Sequence, residues 1–256
     1  MVSTDLAFAG RTAEAPALDY TIWTMVRCFD GSAACGDVIV TGRLPDRRIA
    51  LVVVDLIGGG ASRAARAASV ADDVLTMLLL GHSPGFATHD ADAALQRGGW
   101  IDDLPPLATI FAAVGCPSDG KLTYASAAHE TAMLLAPDGT HRHLRTTGPV
   151  AGLFESPLFG EVAVPFAHGE SLVVVTDGVT DTHSGERPFF GSRGTVHTAA
   201  RALRAGADPA EALIAAAQWN GVIANDAAAL VVQHGMDIAR ASPLRTFSET
   251  RGTLGA

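Results

Sequence analysis

Two short apolar runs, rich in β-branched residues, each stop on an acid. Ile49-Ala50-Leu51-Val52-Val53-Val54 closes on Asp55, and Ser171-Leu172-Val173-Val174-Val175-Thr176 closes on Asp177. Runs of this length and composition read as buried strands. Two more aspartates stand where strands begin, Asp37 before Val38–Thr41 and Asp226 before Ala228–Gln233. In an antiparallel sheet the end of one strand lies beside the start of its neighbour, so all four carboxylates can gather along one edge.

Arithmetic sharpens this for one pair. The midpoint of positions 37 and 55 is 46, and Asp46 lies within Gly42-Arg43-Leu44-Pro45-Asp46-Arg47, a stretch of turn chemistry. A symmetric hairpin then sets Asp37 directly opposite Asp55. Facing carboxylates repel and cost stability. A shared cation is the simplest reason to keep them, and oxygen-only ligands select magnesium or manganese over zinc. Two such ions about 3.5–4 Å apart can activate a water and neutralise a phosphoryl group.

The remaining pattern predicts a first strand over Tyr20–Arg27 and a helix over Ser62–Leu80. A short helix is expected over Ala91–Gln96, strands over Thr109–Val114 and Lys121–Ser126, and two short strands over Ala132–Leu135 and His141–Leu144. A helix over Val196–Arg204 follows. The next one is announced by its start signals, with Asp208 as cap, Pro209 in the first turn and Glu211 at the capping-box position. Strands joined by turns, with long helices inserted, predict an α+β layered fold. Residues 19–235 form the expected domain, between a loose arm over 1–18 and a polar tail over 236–256.

Composition narrows the function classes. At 48% apolar residues the chain has the means for a sizeable core. A formal charge of -9 argues against nucleic-acid binding and against an anionic membrane surface. Three cysteines, Cys28, Cys35 and Cys116, form no dense framework, and no secretory signal or membrane span is evident. The expectation is a cytoplasmic protein in a reducing compartment. Cys35 reads as structural, because no Arg-bearing phosphate loop or adjacent histidine accompanies it. Arg43, Arg47 and Arg48 in the turn, and Arg63 and Arg66 on the next helix, read as exposed. His129 reads as a satisfied or surface residue, and Asp181 as a cap or a tuning contact near the site.

The ordered set Cys35-Gly36-Asp37, Val54-Asp55-Leu56-Ile57-Gly58-Gly59-Gly60, Leu122 through His129, Val175-Thr176-Asp177-Gly178-Val179-Thr180-Asp181 and Asn225-Asp226 resembles the SpoIIE-type branch of the protein phosphatase 2C family. Its layout is most similar to the short RsbX-type phosphatases of bacterial stress signalling. The resemblance implies a four-layer α-β-β-α sandwich, with two antiparallel sheets flanked by helices. It implies that Asp37, Asp55 and Asp177, with the backbone carbonyl of Leu56, hold two manganese or magnesium ions. It also implies hydrolysis by a metal-activated water of phosphoserine or phosphothreonine, on a STAS-type anti-sigma-factor antagonist or a related partner-switching regulator.

The sequence departs from the family pattern in four places, one of them Ser126-Ala127-Ala128-His129, a strand end where Asn-Ala-Gly-His is usual. Leu56 stands where glycine is common, and Gly59 where a histidine is usual. The final pair reads Asn225-Asp226 instead of Asp-Asp, so either Asn225 takes the ligand position or Asp226 substitutes for it with a one-residue shift; charge favours Asp226. Two other readings remain open at this level. One is a weakly active or inactive pseudophosphatase that works by binding, and the other is a metal phosphoesterase for small molecules.

Overall fold

A computed structural model of the chain describes residues 19–29, 34–101, 103–185 and 187–235. The expected arm over 1–18 and tail over 236–256 lie outside them. Among the described residues, ten strands divide into two antiparallel five-stranded sheets. One holds β1 (Tyr20–Arg27), β10 (Ala227–His234), β9 (Ser171–Val175), β6 (Met133–Leu135) and β7 (His141–His143), in that spatial order. The other holds β2 (Asp37–Arg43), β3 (Ile49–Leu56), β4 (Ala108–Cys116), β5 (Lys121–Ala127) and β8 (Val162–Pro165).

The unbroken apolar strands explain the layering. In β3, Leu51 and Val53 face the core between the sheets, with Phe111, Leu172, Val174 and Leu230. The alternate residues Val52 and Val54 face outward, onto Val70, Val74 and Leu78 of α1 (Ala61–Leu79) and Leu95 of α2 (Pro84–Arg97). In β9, Leu172 and Val174 point inward, while Val173 and Val175 pack on Ala199 of α4 (Gly191–Arg204) and on Leu213 and Ile214 of α5 (Pro209–Asn220). A strand apolar at every position has a covered surface on both faces. Helix, sheet, sheet and helix therefore stack as four layers around three apolar interfaces, as the resemblance implied.

Local signals set several boundaries. Asp208 caps α5 by accepting from the Glu211 N–H at 3.0 Å, with Pro209 at the helix start. The helix expected over Ala91–Gln96 runs instead from Pro84 to Arg97; Ser83 caps it, and Pro84 supplies a first-turn φ. The short β8 is a strand that its sequence did not announce, since it is exposed and held by pairing with β5. A single helical turn, α3 (Asp177–Thr180), follows β9, with Asp181 at its C-cap.

Two expectations are corrected. Arg63 is buried: its guanidinium donates to the carbonyls of Ile57 at 2.7 Å and Ile101 at 2.8 Å. Two backbone carbonyls, one from each of two separate loops, give the buried cation its acceptors. Cys28 and Cys35 form a disulfide, a pairing the odd cysteine count did not predict, because the ends of β1 and β2 bring their Cα atoms to 5.0 Å. Cys116 is free.

Candidate metal centre

The acids meet at one end of the sandwich. Asp37 pairs with Asp55 in the register of β2 and β3, as the hairpin arithmetic required. Both are buried. Asp177 caps the end of β9 in the opposite sheet and is half-buried. The sheets are tied at this point. Thr176 donates its hydroxyl to Asp37 Oδ2 at 2.6 Å and accepts from the Ala228 N–H at 2.8 Å. Its own N–H donates to the Ala228 carbonyl at 3.1 Å. One threonine thus joins β9, β10 and β2.

Close backbone approach explains two glycines. A Cβ on Gly36 would stand 2.9 Å from the Leu56 carbonyl oxygen, and one on Gly178 would stand 1.8 Å from the Asp226 carbonyl oxygen. Gly36 also accepts from the Leu56 N–H at 3.1 Å. The Cys-Gly-Asp and Asp-Gly motifs therefore carry glycine because backbone fills the space a side chain would need.

Asn225 and Asp226 play different parts. The Asn225 amide donates to Asp177 Oδ1 at 3.0 Å, and its oxygen accepts from the Asp226 N–H at 2.9 Å. Asp226 is buried, and its two oxygens accept from the Phe29 N–H and the Gly36 N–H, each at 2.6 Å. Asp181 is exposed, and its field reaches both Asp177 and Glu130.

The electrostatics are those of crowded anions. Burial pushes Asp37 well above the usual carboxylate range, and the charge of Asp55 adds to it. Asp55 is pushed up to about 7 by burial first and then by the charge of Asp177. Asp177 is raised by burial and by Asp181, against the opposing amide of Asn225. A further acid, Glu130, is raised by burial and by Asp181 and Asp177. It escaped the sequence reading because it follows a β-strand instead of ending an apolar run. His129 beside it is buried, with Nδ1 2.8 Å from the Thr109 hydroxyl, and Thr109 pairs with Asp55.

The donor chemistry fits hard divalent cations: all oxygen, all acidic, and held together against mutual repulsion. As the side chains lie, no group of three or more His, Cys, Asp or Glu among the described residues is spaced to grip an ion. Thr176, Asn225 and the Phe29 and Gly36 amides engage Asp37, Asp177 and Asp226 instead.

The family model of stage II sporulation protein E (SpoIIE) matches residues 45–235. Protein IcfG of Synechocystis sp. (strain ATCC 27184 / PCC 6803 / Kazusa) is 35% identical over 96 residues, which is 38% of this chain and 15% of that protein. This chain thus corresponds to a small part of IcfG. The fold is similar to the RsbU and RsbW domains of Rv1364c from Mycobacterium tuberculosis, with a TM-score of 0.69 and 21% identity over 85% of this chain and 62% of that one. It is also similar to RsbX solved in complex with magnesium, with a TM-score of 0.66 and 13% identity over 88% of this chain and 100% of that one. At these identities the two structural likenesses are likenesses of fold.

Proposed function

Because the chain belongs to the SpoIIE family of PP2C-type phosphatase domains, we propose that it is a metal-dependent serine/threonine protein phosphatase acting on a phosphorylated regulator of bacterial partner switching. The observation that carries this reading is the Asp37–Asp55 pair. Two buried carboxylates stand opposite each other in register, with Asp177 close enough to raise the proton affinity of Asp55. A fold that keeps this arrangement gains from a cation.

Asp37, Asp55 and Asp177, with the Leu56 carbonyl, would hold two manganese or magnesium ions. Asn225 or Asp226 completes the set: charge favours Asp226, and the contact with Asp177 favours Asn225. Bound there, the ions would supply an activated water and positive charge for the phosphoryl oxygens. The residues of the chain orient the donors. Thr176 holds Asp37, Asn225 holds Asp177, and Arg63 fixes the loop after Leu56 through the carbonyl of Ile57. Asp181, at the exposed rim, tunes Asp177 through its charge.

The proposed substrate is phosphoserine or phosphothreonine on a STAS-type protein or relative, in keeping with the RsbU and RsbW domains in the fold comparison. The proposed location is the cytoplasm. Among the described residues, no helix is long and apolar enough to cross a membrane. The domain proposed to carry the activity is 19–235.

The test is hydrolysis of p-nitrophenyl phosphate, and then of a phosphorylated STAS-type protein, with manganese. Activity should require the metal, vanish with chelator, and fall by about 100-fold or more in Asp55→Asn and Asp177→Asn. A folded protein that hydrolyses neither substrate in manganese or magnesium overturns the reading. The second reading, a pseudophosphatase that binds its partner without turnover, rests on the uncharged amide of Asn225 beside Asp177. It predicts partner binding without phosphate release.

A further inference from the structure

The disulfide and Asp226 act on the same two points of backbone. Phe29 and Gly36, whose N–H groups grip the Asp226 carboxylate at 2.6 Å each, immediately follow Cys28 and Cys35. Gly36 also passes the constraint on. Its carbonyl accepts from the Leu56 N–H at 3.1 Å, and the next residue is Asp37. A continuous set of bonds therefore runs from the disulfide through Gly36 to Asp37 and Leu56. Both oxygens of Asp226 are engaged within it.

Two backbone donors on one carboxylate group make a strong contact only when they stand side by side. A covalent link between the preceding residues removes much of the entropy cost of keeping them there. We propose that Asp226 and the Cys28–Cys35 disulfide form a redox-responsive brace that positions Asp37 and the Leu56 carbonyl for divalent cations. This inference rests on the metal site of the phosphatase reading. It makes Asp226 a positioning residue and leaves Asn225 at the remaining ligand position.

The chemical step is thiol–disulfide exchange with a dithiol reductant. Its thiolate attacks one cysteine sulfur, and the S–S bond breaks through a mixed disulfide. Two electrons and two protons end on Cys28 and Cys35 as thiols, while the reductant closes to its own disulfide. Cys35, half-buried, is the more open of the pair; Cys28 is buried. After reduction Asp226 must gather the two amides without the link, and metal affinity falls.

The experiment uses the full chain and manganese alone as probe. Manganese binding is titrated by calorimetry for oxidised protein and for protein reduced with a dithiol and desalted without oxygen. Alkylation and mass measurement count the thiols in each sample. Reduction should weaken binding by about tenfold. The Cys28→Ser/Cys35→Ser protein should bind like the reduced form under both conditions, and Cys116→Ser should keep the response. Asp226→Asn should bind weakly and lose its sensitivity to reduction, whereas a mere ligand would bind weakly and keep it. In metal-free protein, the Phe29 and Gly36 amide resonances should move together on reduction and in Asp226→Asn.

Equal affinity in both states, with alkylation proving both thiols open, overturns the brace. So does alkylation of Cys28 and Cys35 in protein that was never reduced. Should the double serine variant fail to fold, reduction of wild type still decides. Hydrolysis with redox-indifferent manganese binding sinks the brace alone, redox-sensitive binding without hydrolysis sinks the phosphatase reading alone, and no binding in either state sinks both.

Discussion

His129 shows what single residues contribute here. Its ring is buried against Phe111, with Nδ1 on the Thr109 hydroxyl and Nε2 without a protein partner among the described residues. Burial lowers it from its ordinary 6.5 to about 4. Between these values the unfolded chain takes up a proton that the folded chain refuses. Stability from this group is therefore complete above pH 6.5 and lost as pH falls toward 4, at most about 3 kcal/mol. The metal-free acids work in the opposite direction: Asp55, raised to about 7, removes stability as pH rises through that window. The difference between proteins isolates the histidine. The loss of urea-unfolding stability from pH 7 to 5 should be smaller by about 1–3 kcal/mol in His129→Gln than in wild type. An unchanged pH slope would mean that the ring is not buried neutral. The sequence read His129 as satisfied or superficial, because burial is invisible in a lone histidine at a strand end.

At the scale of elements, short-range chemistry was the more legible. The hairpin of β2 and β3 has its register fixed by its turn, and arithmetic on residue numbers found Asp37 opposite Asp55. The start of α5 was readable because Asp-Pro-x-Glu satisfies exposed N–H groups within four residues. Replacing Asp208 with Ala should cost about 1 kcal/mol in chemical denaturation, by leaving the Glu211 N–H without its acceptor. A change below about 0.3 kcal/mol would mean that the cap contributes nothing. α2 was read too short, since it begins at Pro84 in a stretch whose residue pattern is mixed, and β8 was missed, since its neighbour makes it a strand. The exposed reading of Arg63 failed for a related reason: its acceptors at Ile57 and Ile101 are backbone carbonyls in two distant loops.

At the scale of the whole molecule, the site exists only where two sheets close on each other. Thr176 is the tie, donating to Asp37 in one sheet and accepting from Ala228 in the other. Thr176→Val keeps the shape but strands the buried Ala228 N–H and removes the hydroxyl that donates to Asp37. It should cost about 1–3 kcal/mol in urea unfolding of metal-free protein. It should also free Asp37 and change manganese affinity, which calorimetry reads alongside. Stability and affinity both equal to wild type would show that the sheets are held together by their apolar faces alone.

Periodic and local features are legible in the chain alone: which runs are buried on both faces, where the turn between β2 and β3 lies, and that four aspartates occupy strand ends. These follow from side-chain alternation and turn chemistry, which act within a few residues. Long-range packing alone sets the rest: Asp226 accepts from Phe29 and Gly36, Asn225 touches Asp177, Glu130 joins the acids, and Cys28 bonds to Cys35. A carboxylate takes whichever donors the fold brings within hydrogen-bond reach. For Asp226 those donors lie 190 and more residues away, where no local pattern in the chain can point to them.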